Sequence, residues 1–315
     1  MPNYQGVWDI TTQFQYAADW PVPPDLSRGV FAAGNGDKDV MDYILISTTG
    51  NATDFGNLSV AIDMISVVSL ASSTRGVFGG GNPSSGVSDV MDYITIASTG
   101  NATDFGNLSV ARYNLASLSN GTRGIFAGGI SGSRKDEIDY ITISSTGNAQ
   151  DFGNLTTTGN GVSGLASTTR GVILGFFTDN DPAIENRIDY ITIGSTGNAS
   201  DFGNLTQVKY AGAALSSNTR GIFAGGYTGS AFVNEIEYIT IGSTGNATDF
   251  GDLTGTAGSN AGVSNKTRGV VKGGNGTDTM EFITIATTGD ATDFGDLTVA
   301  RSQLGGTSDG HGGLA

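Results

Sequence analysis

Few side chains in this sequence could carry out catalytic or metal chemistry. The chain has no cysteine and one histidine, His311, so thiolate chemistry and most metal sites lose their usual ligands. Its 30 acidic residues could supply a carboxylate pair for hydrolysis, but no spacing singles out one pair. Acidic loops at residues 35–39 and 179–181 could offer oxygens to Ca²⁺, although neither has the spacing of a known calcium loop. We therefore expect no enzymatic activity, no cofactor and no metal site.

An Asp-Phe-Gly tripeptide occurs six times, and a Leu follows two residues after each Gly. In protein kinases this tripeptide acts together with a β3 lysine and a catalytic loop, and those partner motifs do not accompany it here. Six copies instead predict a turn aspartate and a packed phenylalanine in a repeated structural unit. Sequons within the same unit, as at Asn101, Asn198 and Asn246, are expected from its turn composition. The aspartates of the tripeptides are Asp54, Asp104, Asp151, Asp201, Asp249 and Asp293.

The repeated unit predicts the blades of a β-propeller. An Arg-Gly pair recurs with the tripeptide, and successive copies are 44 to 50 residues apart, in the range of propeller blades and solenoid turns. One unit contains four predicted strands, at residues 113–119, 123–127, 139–143 and 152–155. Tight-turn residues separate these strands, whereas a parallel β-helix would use shorter rungs with fewer turns. The arginines of the pairs are Arg28, Arg75, Arg123, Arg170, Arg220 and Arg268.

Composition and charge narrow the classes of partner. Glycine makes up 50 of 315 residues and only 14% of residues are charged, which favours a turn-rich all-β protein. The net charge of -15 disfavours nucleic acid and anionic membranes, because phosphate binding needs clustered Lys and Arg. We expect no membrane insertion, since no apolar run is long enough to span a bilayer. The N-terminus lacks the pattern of a secretory signal, so we expect lysis or assembly to carry the protein outside a cell.

The ends of the repeat predict how the propeller closes. The first unit begins at its second strand, with Ser27 and Arg28, and no first strand precedes it. The chain ends with an unpaired first-strand equivalent that begins at Arg301. We therefore predict a six-bladed, four-stranded antiparallel propeller at residues 27–315, whose C-terminal strand completes the first blade. Closure of this kind removes exposed sheet edges.

The unit resembles the kelch repeat, in which an Arg precedes the first strand, a Gly-Gly doublet ends the second and a Tyr lies in the third. The stretch from Arg112 through Gly128-Gly129 to Tyr140 follows this order. In two units the doublet becomes Ala33-Gly34 or Gly175-Phe176. The leading Arg survives only at Arg112 and Arg301, with Lys209 similar. The resemblance implies a kelch-like propeller, and kelch domains bind many unrelated partners.

The variable loops indicate where binding would occur. In an antiparallel four-stranded blade, the nearly invariant turns lie on one face of the disc. The loops between the second and third strands lie on the other face, together with the links between blades, and they differ in length and content. Recognition concentrates in variable loops on a repeated scaffold. The aromatic and basic residues that we predict to contact a sugar or a protein are Tyr113, Arg134, Lys135, Phe176, Phe177, Tyr210, Tyr227 and Phe232.

Residues 1–26 differ from the repeats and predict an N-terminal arm. This segment contains both tryptophans of the chain and ends in a stretch rich in proline. Such an arm could fold over its own propeller or anchor the propeller to a larger assembly, and anchoring is the interpretation that we favour. The candidate anchoring residues are Trp8, Phe14, Tyr16 and Trp20.

The arm and the repeat also resemble proteins of marine tailed bacteriophages. The Gly-Val-Trp opening, followed by Trp-Pro, is similar to the N-termini of their structural proteins. The repeated Tyr-Ile-Thr-Ile-x-Ser-Thr-Gly-Asn-Ala-Thr-Asp-Phe-Gly-Asn-Leu is similar to kelch-like proteins that such phages encode. The resemblance implies a virion component on tail or capsid, attached to other virion proteins through the arm. It could be a tail fibre-like adhesin for a host glycan or protein, an architectural decoration protein, or a glycan hydrolase.

Overall fold

The computed structural model describes residues 25–36, 38–62, 68–180, 183–273 and 276–314. In these residues the chain forms six antiparallel sheets of four strands and one two-stranded ribbon. The sheets follow one another around a central channel as a six-bladed β-propeller, which confirms the predicted all-β fold. No helix in the described part of the chain is long and apolar enough to cross a membrane.

The strands follow the chain order of the repeats. Blade 1 begins with β1 (Arg28–Ala32), β2 (Lys38–Leu45) and β3 (Thr53–Ile62). Blade 2 contains β4 (Val68–Ala71), β5 (Arg75–Gly79), β6 (Val90–Thr95) and β7 (Thr103–Asn107). Blade 3 begins with β8 (Ala116–Ser119) and β9 (Arg123–Ala127), continues through a ribbon of β10 (Ile130–Ser131) and β11 (Ser133–Arg134), and ends with β12 (Glu137–Thr142) and β13 (Gln150–Asn154).

The other three blades repeat the pattern. Blade 4 contains β14 (Ser163–Ala166), β15 (Arg170–Phe177), β16 (Ile184–Thr192) and β17 (Ser200–Asn204). Blade 5 contains β18 (Ala213–Ser216), β19 (Arg220–Ala224), β20 (Val233–Thr240) and β21 (Thr248–Ala257). Blade 6 contains β22 (Gly262–Ser264), β23 (Arg268–Lys272), β24 (Thr279–Thr284) and β25 (Thr292–Asp296). The last strand is β26 (Gly305–Ser308).

The C-terminal strand closes the ring, as predicted. β26 pairs antiparallel with β1 and becomes the innermost strand of blade 1, with Gly29 opposite Ser308 and Ala32 opposite Gly305. The strand is shorter than the stretch from Arg301 that the sequence suggested. Gln303 has a left-handed φ of 61°, which turns the backbone just before the strand begins. The same turn at Asn114 (φ 58°) delays β8 to Ala116, whereas the sequence predicted a strand from residue 113.

These turns join around one mouth of the channel through backbone hydrogen bonds. The Gly161 N–H donates to the Asn114 carbonyl at 2.8 Å, and the Ala211 N–H donates to the Gly161 carbonyl at 2.8 Å. Ser259 and Gln303 continue the series at 2.7 and 3.0 Å. The turn before each of these innermost strands is therefore hydrogen-bonded to the equivalent turn of the neighbouring blade. Sequence periodicity does not reveal this contact.

The nearly invariant Thr-Gly-Asn-Ala turn links each blade to the one before it. The Gly100 N–H donates to the Phe55 carbonyl at 2.7 Å, and the Ala102 N–H donates to the Asn57 carbonyl at 2.8 Å. The Asn101 Oδ1 accepts the Asn57 N–H at 3.1 Å. The side chains that accept at the six equivalent positions are Asn51, Asn101, Asn148, Asn198, Asn246 and Asp290. The sequon asparagines are thus accounted for by contacts between blades.

The Arg-Gly pair makes a second link between blades. The Arg75 Nη1 donates to the Ile143 carbonyl of the next blade at 3.0 Å, and its guanidinium lies 4.3 Å from the centre of the Tyr93 ring. All six arginines of the motif make the equivalent hydrogen bond. The glycine gives room to the previous blade, because a Cβ at Gly124 would lie 2.5 Å from Leu70 Cδ1. Both residues of the motif are therefore structural.

A third link uses a buried acid in the third strand of each blade, which accepts hydrogen bonds from a Ser or Thr of the previous blade. The Ser109 hydroxyl donates to Asp139 at 2.7 Å. In alternate blades a fully buried cation joins this acid, with nitrogen to oxygen distances of 2.9 Å. These pairs are Arg301–Asp42, Arg112–Asp139 and Lys209–Glu237. The kelch-like leading Arg thus supplies the counter-ion of a buried carboxylate.

The C-terminal tail closes the channel at the end opposite the ring of turns. His311 lines the channel with the innermost strands, and its Nε2 lies 3.0 Å from the Ala71 carbonyl and 3.2 Å from the Ser119 hydroxyl. The neighbouring glycine is closely covered, because a Cβ at Gly312 would lie 2.2 Å from the Ser217 carbonyl oxygen. The histidine therefore has a place in the fold as part of a plug.

This plug predicts acid sensitivity. Burial lowers the pKa of His311 from 6.5 to about 4, so the folded chain keeps the imidazole neutral in a window where the unfolded chain binds a proton. Proton binding stabilises the unfolded state as pH falls through that window. The free energy of unfolding therefore decreases between pH 6.5 and about pH 4, by up to about 3 kcal/mol. Urea unfolding of wild type and His311→Gln at pH 7 and pH 4.5 tests this expectation. The wild type should lose more stability than the variant, and an equal loss in both would contradict it.

Candidate functional site

The two faces of the disc differ in the way that the sequence predicted. The turns that join first to second strands and third to fourth strands form the turn face. The loops between second and third strands form the opposite, variable face together with the links between blades. The described loop residues of the variable face are 33–36, 80–89, 128–136, 178–180, 183, 225–232, 273 and 276–278.

A continuous row of aromatic rings crosses the variable face from blade 4 to blade 5. We call Phe177, Tyr210, Tyr227 and Phe232 the aromatic strip. The rings of Phe177 and Tyr210 are stacked with centroids 5.0 Å apart, and Tyr210 meets Tyr227 edge to face at 5.9 Å. Tyr227 and Phe232 are tilted at 4.9 Å. Such spacings are those of favourable aromatic pairs.

Arg134, from the ribbon of blade 3, caps one end of the strip. Its guanidinium carbon lies 4.1 Å from the centre of the Phe177 ring, in a cation–π arrangement. The Arg134 Nε donates to Asn160 Oδ1 at 2.8 Å, and its Nη1 forms an ion pair with Asp179. The strip and its cap therefore connect blades 3, 4 and 5 across one face.

Backbone pairing and neighbouring glycines hold these rings in place. Tyr210 and Tyr227 exchange backbone hydrogen bonds of 3.1 and 2.8 Å, and Tyr227 bridges to Phe232 across its own loop. A Cβ at Gly161 would lie 2.6 Å from Tyr210 Cδ2, and a Cβ at Gly258 would lie 2.3 Å from Phe232 Cδ1. The link between blades 3 and 4 and the link between blades 5 and 6 thus leave space for the strip.

The strip is partly open to solvent. Phe232 is 38% exposed, and the other three rings are half-buried. Burial is the main cause that raises the pKa of the Tyr210 hydroxyl, and Tyr227 adds to it while Arg134 opposes it. The Tyr227 hydroxyl donates to the Gly229 carbonyl at 3.0 Å. The rings consequently present apolar surface to solvent, and the Tyr227 hydroxyl is already hydrogen-bonded within the protein.

The structure brings most of the predicted contact residues together. Arg134, Phe177, Tyr210, Tyr227 and Phe232 form the capped strip described above. Their contact with a ligand stays a prediction, as does the anchoring role of Trp8, Phe14, Tyr16 and Trp20, which lie outside the described residues. The division into an arm at 1–26 and a propeller at 27–315 also stays a prediction.

Phe176 is a correction to the predicted set. It is completely buried, and a Cβ at Gly159 would lie 2.7 Å from its Cδ1. Gly159 stands where blade 3 has Arg112, three residues after the Ser or Thr that bonds the buried acid. The Phe176 ring fills the space that this missing side chain leaves, so it belongs to the core and cannot contact a ligand at the surface.

Two predicted residues lie on the variable face but outside the strip. Tyr113 is half-buried and pairs through its backbone with Ile130. The Lys135 ammonium is half-buried and lies 3.9 Å from the Glu137 carboxylate. Asn160 was not predicted; it occupies in blade 4 the position that Tyr113 and Tyr210 hold in other blades, and its Oδ1 accepts a hydrogen bond from Arg134. The position that it shares with Tyr113 and Tyr210 in the repeat could have identified it as a residue of this face.

No group of three or more His, Asp or Glu side chains in the described parts of the chain is placed to hold a metal ion. A scan of protein-family models and a search of curated proteins found no match.

Proposed function

We propose that the protein is a non-enzymatic phage virion component whose propeller binds a host surface through its variable face. The observation that supports this proposal is the aromatic strip with its Arg134 cap. Interfaces draw most of their binding energy from Tyr, Trp and Arg side chains that cluster. Here such side chains are grouped on loops, half open to solvent, on a scaffold held by contacts between blades.

The position of the chain entry supports an outward-facing strip. Asp25 lies at the turn face, where its carboxylate accepts the Asn265 Nδ2 at 2.7 Å and the Ser27 N–H at 2.9 Å. Asn265 follows β22, in the turn that leads to β23. The described chain therefore begins, at Asp25, on the face opposite the strip. If the residues before Asp25 attach the propeller to a particle, the variable face points away from that particle.

The virion location rests on the resemblance of the repeat and of the N-terminal residues to phage structural proteins. In the proposal, Trp8, Phe14, Tyr16 and Trp20 supply apolar contacts to another virion protein, while the propeller remains accessible. An architectural role is the competing function. It is favoured by the six near-identical turns on the turn face, which could serve as a regular surface for assembly.

Binding of labelled protein to a panel of bacterial cells and to particles that lack the protein separates these functions. The test compares the full chain with a variant without residues 1–24, which keeps the Asp25 contact with Asn265. We expect cell binding to survive the deletion and particle binding to be lost. Binding to particles alone would favour the architectural role, and release of sugar from cell glycans would favour a hydrolase.

The strip itself predicts a large loss of cell binding when it is truncated. Tyr227→Ala with Phe232→Ala removes two adjoining rings, and we expect the affinity for cells to fall by at least about tenfold. Val87→Ala is the matched control, because it removes an exposed apolar side chain from the same face but outside the strip. Thermal unfolding of both variants checks that the fold is kept. Equal binding by the double variant and the control would contradict the assignment of the site.

A further inference from the structure

We infer that the ligand of the aromatic strip is an extended, uncharged glycan. This inference rests on the proposed binding function and gives the chemical class of its ligand. Three properties of the variable face support it, namely the pairing of its cations, the contiguous row of its rings and the exposed carboxylates beside them.

The cations around the strip are already neutralised. The described Lys and Arg side chains on the variable face of blades 3 to 5 each have an acidic partner. Arg134 pairs with Asp179, and Arg187 Nε lies 3.0 Å from Glu185. Lys209 is completely buried against Glu237 at 2.9 Å. The Lys135 ammonium lies 3.9 Å from Glu137. With a net charge of -15 on the chain, this surface offers an anionic polymer no unpaired cation.

The rings form a contiguous row across two blades, which suits a chain-like ligand. Successive centroids are 5.0, 5.9 and 4.9 Å apart, and Phe232 at the far end lies over Gly258 in the link to blade 6. The row therefore extends from Arg134 of blade 3 to the edge of blade 6. The apolar faces of sugar rings can lie against Phe232, which is 38% exposed, and against the open edges of the other rings of this row. A stable protein partner would cover roughly 800 Å² per side, a broad area rather than a narrow row.

Exposed carboxylates beside the row suit hydroxyl donors. The Asp179 side chain is 58% exposed and the Glu235 side chain 45% exposed, even though each contacts a cation. A carboxylate accepts up to about four hydrogen bonds, so both can accept sugar hydroxyls in addition to their present partners. A neutral glycan has sugar rings with apolar faces and with hydroxyl donors at their edges, and so matches both the aromatic rings and the carboxylates.

The first test uses cells that the wild type binds, treated with periodate, which cleaves vicinal diols of sugars, or with protease. We expect periodate to abolish binding and protease to leave it unchanged. Strip-dependent binding that survives periodate and disappears after protease would overturn the glycan while leaving the proposed function intact. Failure of the wild type to bind any cell, or binding that does not depend on the strip, would instead refute the proposed function.

The second test uses a glycan array with neutral and anionic polysaccharides, including dextran, mannan, hyaluronate and chondroitin sulfate. We expect wild type to bind neutral glycans and to bind longer fragments more tightly. Tyr227→Ala with Phe232→Ala should lose at least about tenfold in affinity and Val87→Ala should not. Affinity should change less than about twofold from about 50 to about 500 mM salt. Preference for the anionic polymers, or binding lost in high salt, would overturn the inference.

Discussion

Removal of residues 305–315 is expected to abolish cooperative folding of the propeller. This change deletes β26, which pairs with β1 and seals the ring, and it leaves β1 as an open edge beside an incomplete blade. An exposed edge of this kind promotes pairing between chains, so we expect aggregation as well as loss of a single thermal transition. Thermal unfolding and light scattering measure both effects.

A shorter truncation is the control for this experiment. Removal of residues 309–315 takes away the plug with His311 but keeps β26, so a cooperative transition should remain at a lower temperature. A protein without residues 305–315 that unfolded cooperatively within a few degrees of wild type would contradict closure by the C-terminal strand.

Arg112→Ala should cause the largest loss of stability among single substitutions of charged residues. The change leaves the buried Asp139 carboxylate without its cation and removes donors to the Gly128 and Glu137 carbonyls, at 3.1 and 2.8 Å. Breaking a buried pair by removing one partner typically costs about 3–5 kcal/mol. Urea unfolding gives the difference in free energy between wild type and variant.

The matched control is Arg134→Ala, since Arg134 also pairs with an aspartate but its side chain is 19% exposed. A pair near the surface is worth about 0–1 kcal/mol, so this variant should stay close to wild type in stability. A loss below about 1 kcal/mol for Arg112→Ala would show that Asp139 does not need its counter-ion. In blade 4, Gly159 and Phe176 take the place of the cation, so the fold also accommodates an apolar side chain at this position.

Much of the fold was predictable because the repeated residues are those that tie blades together. Asn101, Arg75 and their equivalents recur since each bonds the neighbouring blade at the same place. The closure by β26 followed from the missing first strand of the first unit. The leading Arg is present in only some of the repeats, which revealed the positions of the alternating buried cations but not their partners. Arg112 pairs with an acid 27 residues further along the chain, whereas Arg301 pairs with Asp42 near the other end of the chain.

The site was predictable in residue type and face but less so in arrangement. Variable loops pointed to Phe177, Tyr210 and Tyr227, yet their contacts cross from one blade to the next and depend on space beside Gly161 and Gly258. Phe176 was assigned wrongly because Gly159, a change in a different loop, opens the pocket that buries it. Compensation between distant positions of this kind is not visible in a single sequence.

The measurement that tests the central claim most directly blocks one face at a time. The chain has no cysteine, so a single introduced thiol can carry a bulky polymer at one chosen site. Ser230→Cys places it in the exposed loop between Tyr227 and Phe232, and Thr146→Cys places it in an exposed turn of the turn face. We predict that the polymer at position 230 abolishes cell binding and that the polymer at position 146 leaves it unchanged. Loss of binding only with the polymer at position 146 would contradict a binding site on the variable face.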